Sequence, residues 1–140
     1  MKRKNFLLMT PLLLFISCSS ALNFATVDQN VSEIALKVSK KEDVNFDLLN
    51  KNSKGYYYVL NSRGVVIYHP KKALEGKNFG DLEFVAAILS KKNGCIKGIF
   101  DNRERIIIFK EMGSDILCYT ISPEYITSNY NCDIYKGEGK

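Results

Sequence analysis

The side chains that could do chemistry in this 140-residue sequence are few: one histidine, eight tyrosines, four cysteines and a scatter of charged groups. His69 is the only side chain that titrates near neutral pH without perturbation. It stands directly before Pro70, which forces it into an extended backbone and gives it a strand-end role as well as a ligand-facing one. Tyr56 and Tyr58 lie two apart, so on a strand they share a face, and Tyr68 follows the same alternation on the next strand. A buried tyrosine brings an apolar ring and a hydroxyl that needs a partner, which suits a ligand wall and a core edge equally. Tyr119 joins them as a candidate. Arg105 and Lys97 are expected on adjacent strands, where either could meet a carboxylate, arginine in two-pronged fashion, or remain solvated. Tyr56, Tyr58, Tyr68, His69, Lys97, Arg105 and Tyr119 are therefore the candidate ligand-binding residues.

What is missing narrows the chemistry further. There is no phosphate-cradling glycine loop, no nucleophile elbow and no cluster at metal-ligand spacing. With one histidine and no Cys-x-x-Cys, metal binding has little to work with. No catalytic residue, metal site or cofactor is expected. The formal charge of +5 invites a nucleic-acid reading. Three of the 20 basic residues, Lys2, Arg3 and Lys4, fall in a segment expected to be removed, which leaves 17 against 15 acidic residues. These are scattered rather than striped, so no nucleic-acid partner is expected.

That removable segment begins with the three basic residues, continues as an apolar run over 6–16, and ends with the small Ser17 before Cys18. This is the layout of a secretory signal. The run is well short of the roughly 20 residues a membrane-crossing helix needs. Phe15-Ile16-Ser17-Cys18 resembles the lipobox of bacterial lipoproteins, with Phe15 where leucine is usual. The resemblance implies that Cys18 becomes the first mature residue and carries lipid, including palmitate-type acyl chains. Two or more chains hold a protein stably at a bilayer. Ser19 and Ser20 carry no acidic sorting signal, so the expectation is a membrane-anchored, extracytoplasmic protein on the periplasmic face or cell surface. Cys95, Cys118 and Cys132 remain, and an odd number cannot all pair within one chain. Cys95 and Cys118 fall on strands two apart, about 10 Å or more at roughly 4.8 Å per strand, beyond disulfide reach. Small buried thiols are one reading; a bond from Cys132 is the other.

The elements that must position the candidates follow from periodicity. Val27, Val31, Ile34 and Val38 make one helical stripe, interrupted by charge over 39–43 and resumed less regularly to residue 49. Tyr56–Leu60 and residues 65–68 are aromatic and β-branched, joined by Asn61-Ser62-Arg63-Gly64, a hairpin signal. Asn61 can bond its own backbone two residues on, and Gly64 supplies positive φ. Pro70 stops the second strand, and 71–80 is a polar connection. Asp81 can cap a short helix with inner face Phe84, Val85, Ile88 and Leu89, ended by Asn93-Gly94. Strands over 95–100, 105–110 and 116–121 follow, with turns short enough to make neighbours antiparallel. Ile106-Ile107-Ile108-Phe109 is apolar without alternation, which places that strand mid-sheet and covered on both faces. Pro123 opens a last helical turn, and the tail from Asn129 is expected to be loose. The fold class expected is α+β: a five-stranded antiparallel sheet with a long helix on one face and a short helix over the other.

The stretch Gly55-Tyr56-Tyr57-Tyr58-Val59-Leu60-Asn61-Ser62-Arg63-Gly64-Val65-Val66-Ile67-Tyr68-His69-Pro70, followed by Glu75-Gly76-Lys77-Asn78-Phe79, resembles the single Cache domains of bacterial extracytoplasmic sensors. Asn93-Gly94 before the third strand and the closing Pro123-Glu124-Tyr125-Ile126 agree. Asn61 stands where aspartate is usual, and the leading helix is shorter than in receptor-borne members. The resemblance covers about residues 27–126. It implies a PAS-like sheet with a pocket under the short helix that binds a small polar metabolite of organic-acid or amino-acid type, with no bond made or broken. The organisation expected is a signal peptide over 1–17, a lipidated tether over 18–26, one Cache-like domain over 27–128 and a tail over 129–140. The function expected is a lipid-anchored sensor-type binding module, with a transmembrane signalling or transport protein as its candidate partner. The alternative is a structural or surface-interaction lipoprotein whose pocket is filled by its own side chains.

Overall fold

The computed structural model describes residues 21–127 and 130–136, so the expected signal segment and the lipidation candidate Cys18 lie outside the described residues. Helix α1, Phe24–Ser39, opens where the Asn23 side chain accepts the Ala25 N–H at 2.9 Å, supplying a partner for one of the orphan donors of a helix start. Its buried stripe is Val27, Val31 and Ala35, with Ile34 and Val38 packed partly buried beside it. The charged interruption ends this helix rather than bending it. A second helix, α2, Phe46–Lys51, starts afresh where Asn45 accepts the Leu48 N–H. No helix among the described residues is long and apolar enough to cross a membrane.

The strands are β1 Tyr56–Leu60, β2 Val66–Tyr68, β3 Gly94–Phe100, β4 Arg103–Met112, β5 Asp115–Ile121 and β6 Asp133–Ile134. They form one sheet in the order β2-β1-β5-β4-β3-β6. The five expected antiparallel strands are all present, and β6 extends the sheet to six by pairing parallel to β3. The tail expected to be loose from Asn129 thus returns to the sheet edge at Asp133 and Ile134. It is tied there by a disulfide between Cys132 and Cys95, whose Cα atoms are 4.7 Å apart. The buried-thiol reading therefore holds for Cys118 alone.

Turn chemistry explains the registers. Asn61 Oδ1 accepts the N–H groups of Arg63 and Val65, and Gly64 sits at φ 83°, a conformation that costs glycine nothing. Between β3 and β4 the turn is shorter than the four residues expected. Asp101 and Asn102 both adopt positive φ, which is the two-residue turn whose twist matches that of an antiparallel pair. Helix α3, Glu83–Lys91, departs from expectation at its start: Leu82 is the N-cap residue and no side chain caps it. The Leu82 N–H closes a turn onto Phe79 O at 3.0 Å, which sets the helix start one residue past Asp81 and leaves that carboxylate out of the cap.

Two apolar layers sandwich the sheet. On one face α1 packs Val27, Val31 and Ala35 against Ile106, Ile108 and Leu117. On the other, Val85 and Ile88 of α3 pack near Leu60, Ile107 and Phe109. The run Ile106 to Phe109 lacks alternation because its residues are needed in turn by both layers, and all four are buried.

Candidate functional site

Alternation decides which candidates share a face. On β1, Tyr56, Tyr58 and Leu60 face the α3 side, while Tyr57 and Val59 face α1. The register pairs Tyr56 with Thr120 and Tyr58 with Cys118, and the β3–β4 register pairs Arg105 with Gly98. Tyr56, Tyr58, Arg105 and Thr120 form the floor of a cavity of about 740 Å³ between the sheet and α3, in the size range of small-molecule sites. Leu82, Phe84 and Val85 close it from the helix side, and His69, Asp81 and Asp101 stand on its rim. The space beneath β1 is open, contrary to the alternative of a pocket filled by the protein's own side chains.

Four of the seven candidate residues line this cavity: Tyr56, Tyr58, His69 and Arg105. The other three lie elsewhere. Tyr68 stacks on Phe46 at 5.1 Å, donates its hydroxyl to Asp47 and accepts from Asn50, so it docks α2 onto the hairpin. The register between β1 and β2 shifts between Val59 and Leu60, which breaks the simple alternation on which its assignment rested. Lys97 pairs with Ile106 and so faces the α1 side, where its ammonium meets Glu104 at 2.9 Å. Tyr119 is buried on that side too, its hydroxyl 2.6 Å from Ser53 Oγ and accepting the Gly55 N–H at 3.0 Å.

The electrostatics of the pocket are mixed in sign. Arg105 gives one donor to Ser122 Oγ at 3.0 Å and forms no ion pair among the described residues. A guanidinium has five N–H donors, so donors remain for a guest. Burial raises the pKa of Tyr56, with the nearby Arg105 charge acting in the opposite direction. Burial also raises Tyr58 well above an ordinary phenol and pushes the Cys118 thiol up to about 12. Both tyrosines therefore stay neutral donors. His69 is held below its ordinary value by burial, opposed in part by the Glu75 charge. Its Nδ1 accepts the Lys71 N–H at 2.9 Å, a bond that only the unprotonated nitrogen can take. Its ring lies 5.4 and 5.6 Å from those of Tyr56 and Tyr58, so His69 both ends the strand and walls the pocket.

Thr120 was not legible as a site residue. Its hydroxyl is buried and makes no well-formed hydrogen bond among the described residues, although the phenols of Tyr56 and Tyr58 approach it. A buried hydroxyl without a partner costs about 1–3 kcal/mol, and this one faces a cavity. Its one sequence signal is a polar residue two positions from Cys118 and four from Ile116 in a run, 116–121, that carries no other strongly polar side chain. Asp81, Asp101 and Tyr135 also line the pocket unforeseen.

No family model matches the sequence, and no curated protein matches it. Solved structures do. A methyl-accepting chemotaxis protein from Vibrio parahaemolyticus superposes with a TM-score of 0.51 at 16% identity, over 72% of this chain and 94% of that one. The ligand-binding domain of Mlp24 with asparagine gives 0.45 at 18% identity, over 56% of this chain. The ligand-binding domain of the Pseudomonas aeruginosa amino acid chemoreceptor PctB in complex with L-Gln gives 0.41 at 14%, over 68% of this chain. The chain spans about a third of the length of the last two, 32% and 37%. The likeness is one of fold: an α+β, Cache/PAS-like sheet of the kind found in a chemotaxis receptor.

Proposed function

We propose that this protein is a lipid-anchored extracytoplasmic module that binds a small polar metabolite in the pocket beneath α3 and performs no reaction on it. The observation that carries the reading is the meeting, in one cavity, of an Arg105 guanidinium with spare donors and a buried Thr120 hydroxyl that makes no well-formed hydrogen bond among the described residues. A carboxylate suits the guanidinium in two-pronged fashion, and the same ligand's second oxygen or a neighbouring group would satisfy the threonine. Asp81 and Asp101 on the rim add negative charge. A pocket carrying both signs favours a zwitterion, an α-amino acid, over a simple organic acid. Neutral Tyr56 and Tyr58 supply ring walls and donors without adding charge.

Membrane residence rests on the signal layout and on Cys18, and occupancy of the pocket would be passed to a transmembrane signalling or transport protein. The test is thermal melting of the purified protein against a panel of amino acids and small carboxylic acids, beginning with asparagine and glutamine. A ligand at a hundred times its dissociation constant is expected to add about 2.7 kcal/mol of stability. Arg105→Ala should erase that shift. A panel flat for the wild type across all classes would count against the reading.

A further inference from the structure

One end of the pocket is built by the chain's last described segment. Tyr135 lines the cavity, donates its hydroxyl to Glu83 Oε2 at 2.7 Å at the start of α3, and stacks on Phe100 at 6.0 Å with 12° between the rings. Phe84 meets both rings edge-on. Little within the segment holds Tyr135 there. Strand β6 has two residues, Ile134 is 71% exposed, and the backbone adds one further bond, Tyr135 N–H to Lys97 O at 2.8 Å. The ion pair between Lys91 and Asp133 is exposed on both sides, and such pairs contribute little. An edge this short, with so little buried, is the kind of element that opens locally. The covalent restraint is the disulfide from Cys132 to Cys95 on the neighbouring strand, and at the segment's start Tyr130 stacks on Phe24 at 5.4 Å.

We propose that residues 130–136 form a strap that closes the pocket with the Tyr135 ring, and that the Cys95–Cys132 disulfide positions it, so that thiol reduction opens the site. This rests on the reading of the cavity as a binding site. A dithiol supplies the chemistry: its two sulfurs pass two electrons to the protein disulfide and close into a cyclic disulfide, and Cys95 and Cys132 each take a proton. Cys118 stays out of the exchange because it is buried and its thiol is held protonated. Tyr135 is then a residue that sets what the pocket accepts, and the two cysteines are positioning residues.

Hydrogen exchange read peptide by peptide, on purified protein with and without dithiothreitol, tests the strap without reference to any ligand. Reduction should raise exchange over 130–136 and over 82–86, and leave the α2 peptide over 46–51, which is fastened to β1 and Tyr68 rather than to the strap, unchanged. Cys132→Ser should match the reduced protein. Tyr135→Ala should free 82–86 while keeping the disulfide, and Tyr135→Phe, which keeps the ring and loses only the bond to Glu83, should recover most of the protection. For whichever of asparagine or glutamine binds the oxidised protein, affinity should fall about tenfold on reduction, the fall expected if the closed state drops to about a tenth of the population. Equal exchange in the oxidised and reduced states would overturn the strap, and so would opened exchange with unchanged affinity. Opened exchange in a protein that binds neither amino acid leaves the strap standing and counts against the binding function instead.

Discussion

Thr120 and His69 carry opposite kinds of information about the pocket. The buried Thr120 hydroxyl makes no well-formed hydrogen bond among the described residues, so Thr120→Val, which keeps the shape and removes the polar atom, should raise the stability of the ligand-free protein by about 1 kcal/mol. The same change should abolish the ligand-dependent melting shift. Denaturant unfolding with and without ligand checks both halves, and a destabilised apo Thr120→Val protein would show that the hydroxyl is satisfied internally. For His69 the consequence is a pH dependence. Its folded pKa lies below the ordinary 6.5 because burial disfavours the charged ring. The unfolded chain therefore binds the proton more readily, and stability, complete above about pH 6.5, must decline as pH falls toward and through the folded value. Asp47 and Glu75 have lowered pKa values too, from 3.8 and 4.5, so their losses begin in a more acid range. His69→Asn should flatten the melting curve's decline just below pH 6.5 and leave the acid limb in place.

At the scale of elements, the pieces were readable where local chemistry and burial agreed. Asn61 with Gly64, the Val27–Val31 stripe, and the unalternating Ile106 to Phe109 run each specify one structure. The misplacements share a cause: register is a property of two strands, and sequence displays one at a time. Lys97 and Arg105 sit on adjacent strands, yet the pairing of Lys97 with Ile106 puts them on opposite faces. Tyr68 is separated from Tyr56 by a register shift that no composition announces. Apart from Cys132, whose bond was one of two open readings, the tail gave no sign of order because its order comes from contacts far along the chain. Asn50 is a comparable long-range device. It accepts the Tyr57 N–H at 2.6 Å and donates to Tyr57 O and to the Tyr68 hydroxyl, fastening α2 to β1. Asn50→Ala should cost about 2–3 kcal/mol, since it strands partly buried backbone groups. Urea unfolding measures that cost, and because α2 lies away from the pocket, ligand affinity should hold. Gly64→Ala should act differently. At φ 83° any side chain is strained, and a Cβ there would overlap Gly80 and press on Val85, so both stability and the pocket-side packing of α3 should suffer.

The whole molecule divides its labour between two faces of one sheet. The α1 face packs Val31, Ile106, Ile108, Leu117 and Ile121 at 0% exposure and supplies much of the hydrophobic stabilisation, leaving only a smaller hollow of about 520 Å³ between α1, α2 and Tyr57 among the described residues. The α3 face gives up part of that packing to keep a cavity open. Its core is closed by the two faces of its own sheet, and no helix among the described residues is long and apolar enough to span a membrane. Attachment and folding should therefore be separable. On the proposed lipid anchor, the wild-type protein expressed in a lipoprotein-processing bacterium should partition with membranes and with the detergent phase, and carry the added mass of acyl chains on Cys18. Each buried methylene contributes about 0.8 kcal/mol, enough for stable anchoring only when two or more chains are present. Cys18→Ser should move the protein to the aqueous phase and remove the added mass. Its melting temperature and ligand-induced shift should match those of the wild type, since Cys18 precedes the first packed residue of α1. Retention of Cys18→Ser in the membrane would place the anchor elsewhere, and a lowered melting temperature would mean that the tether takes part in the fold.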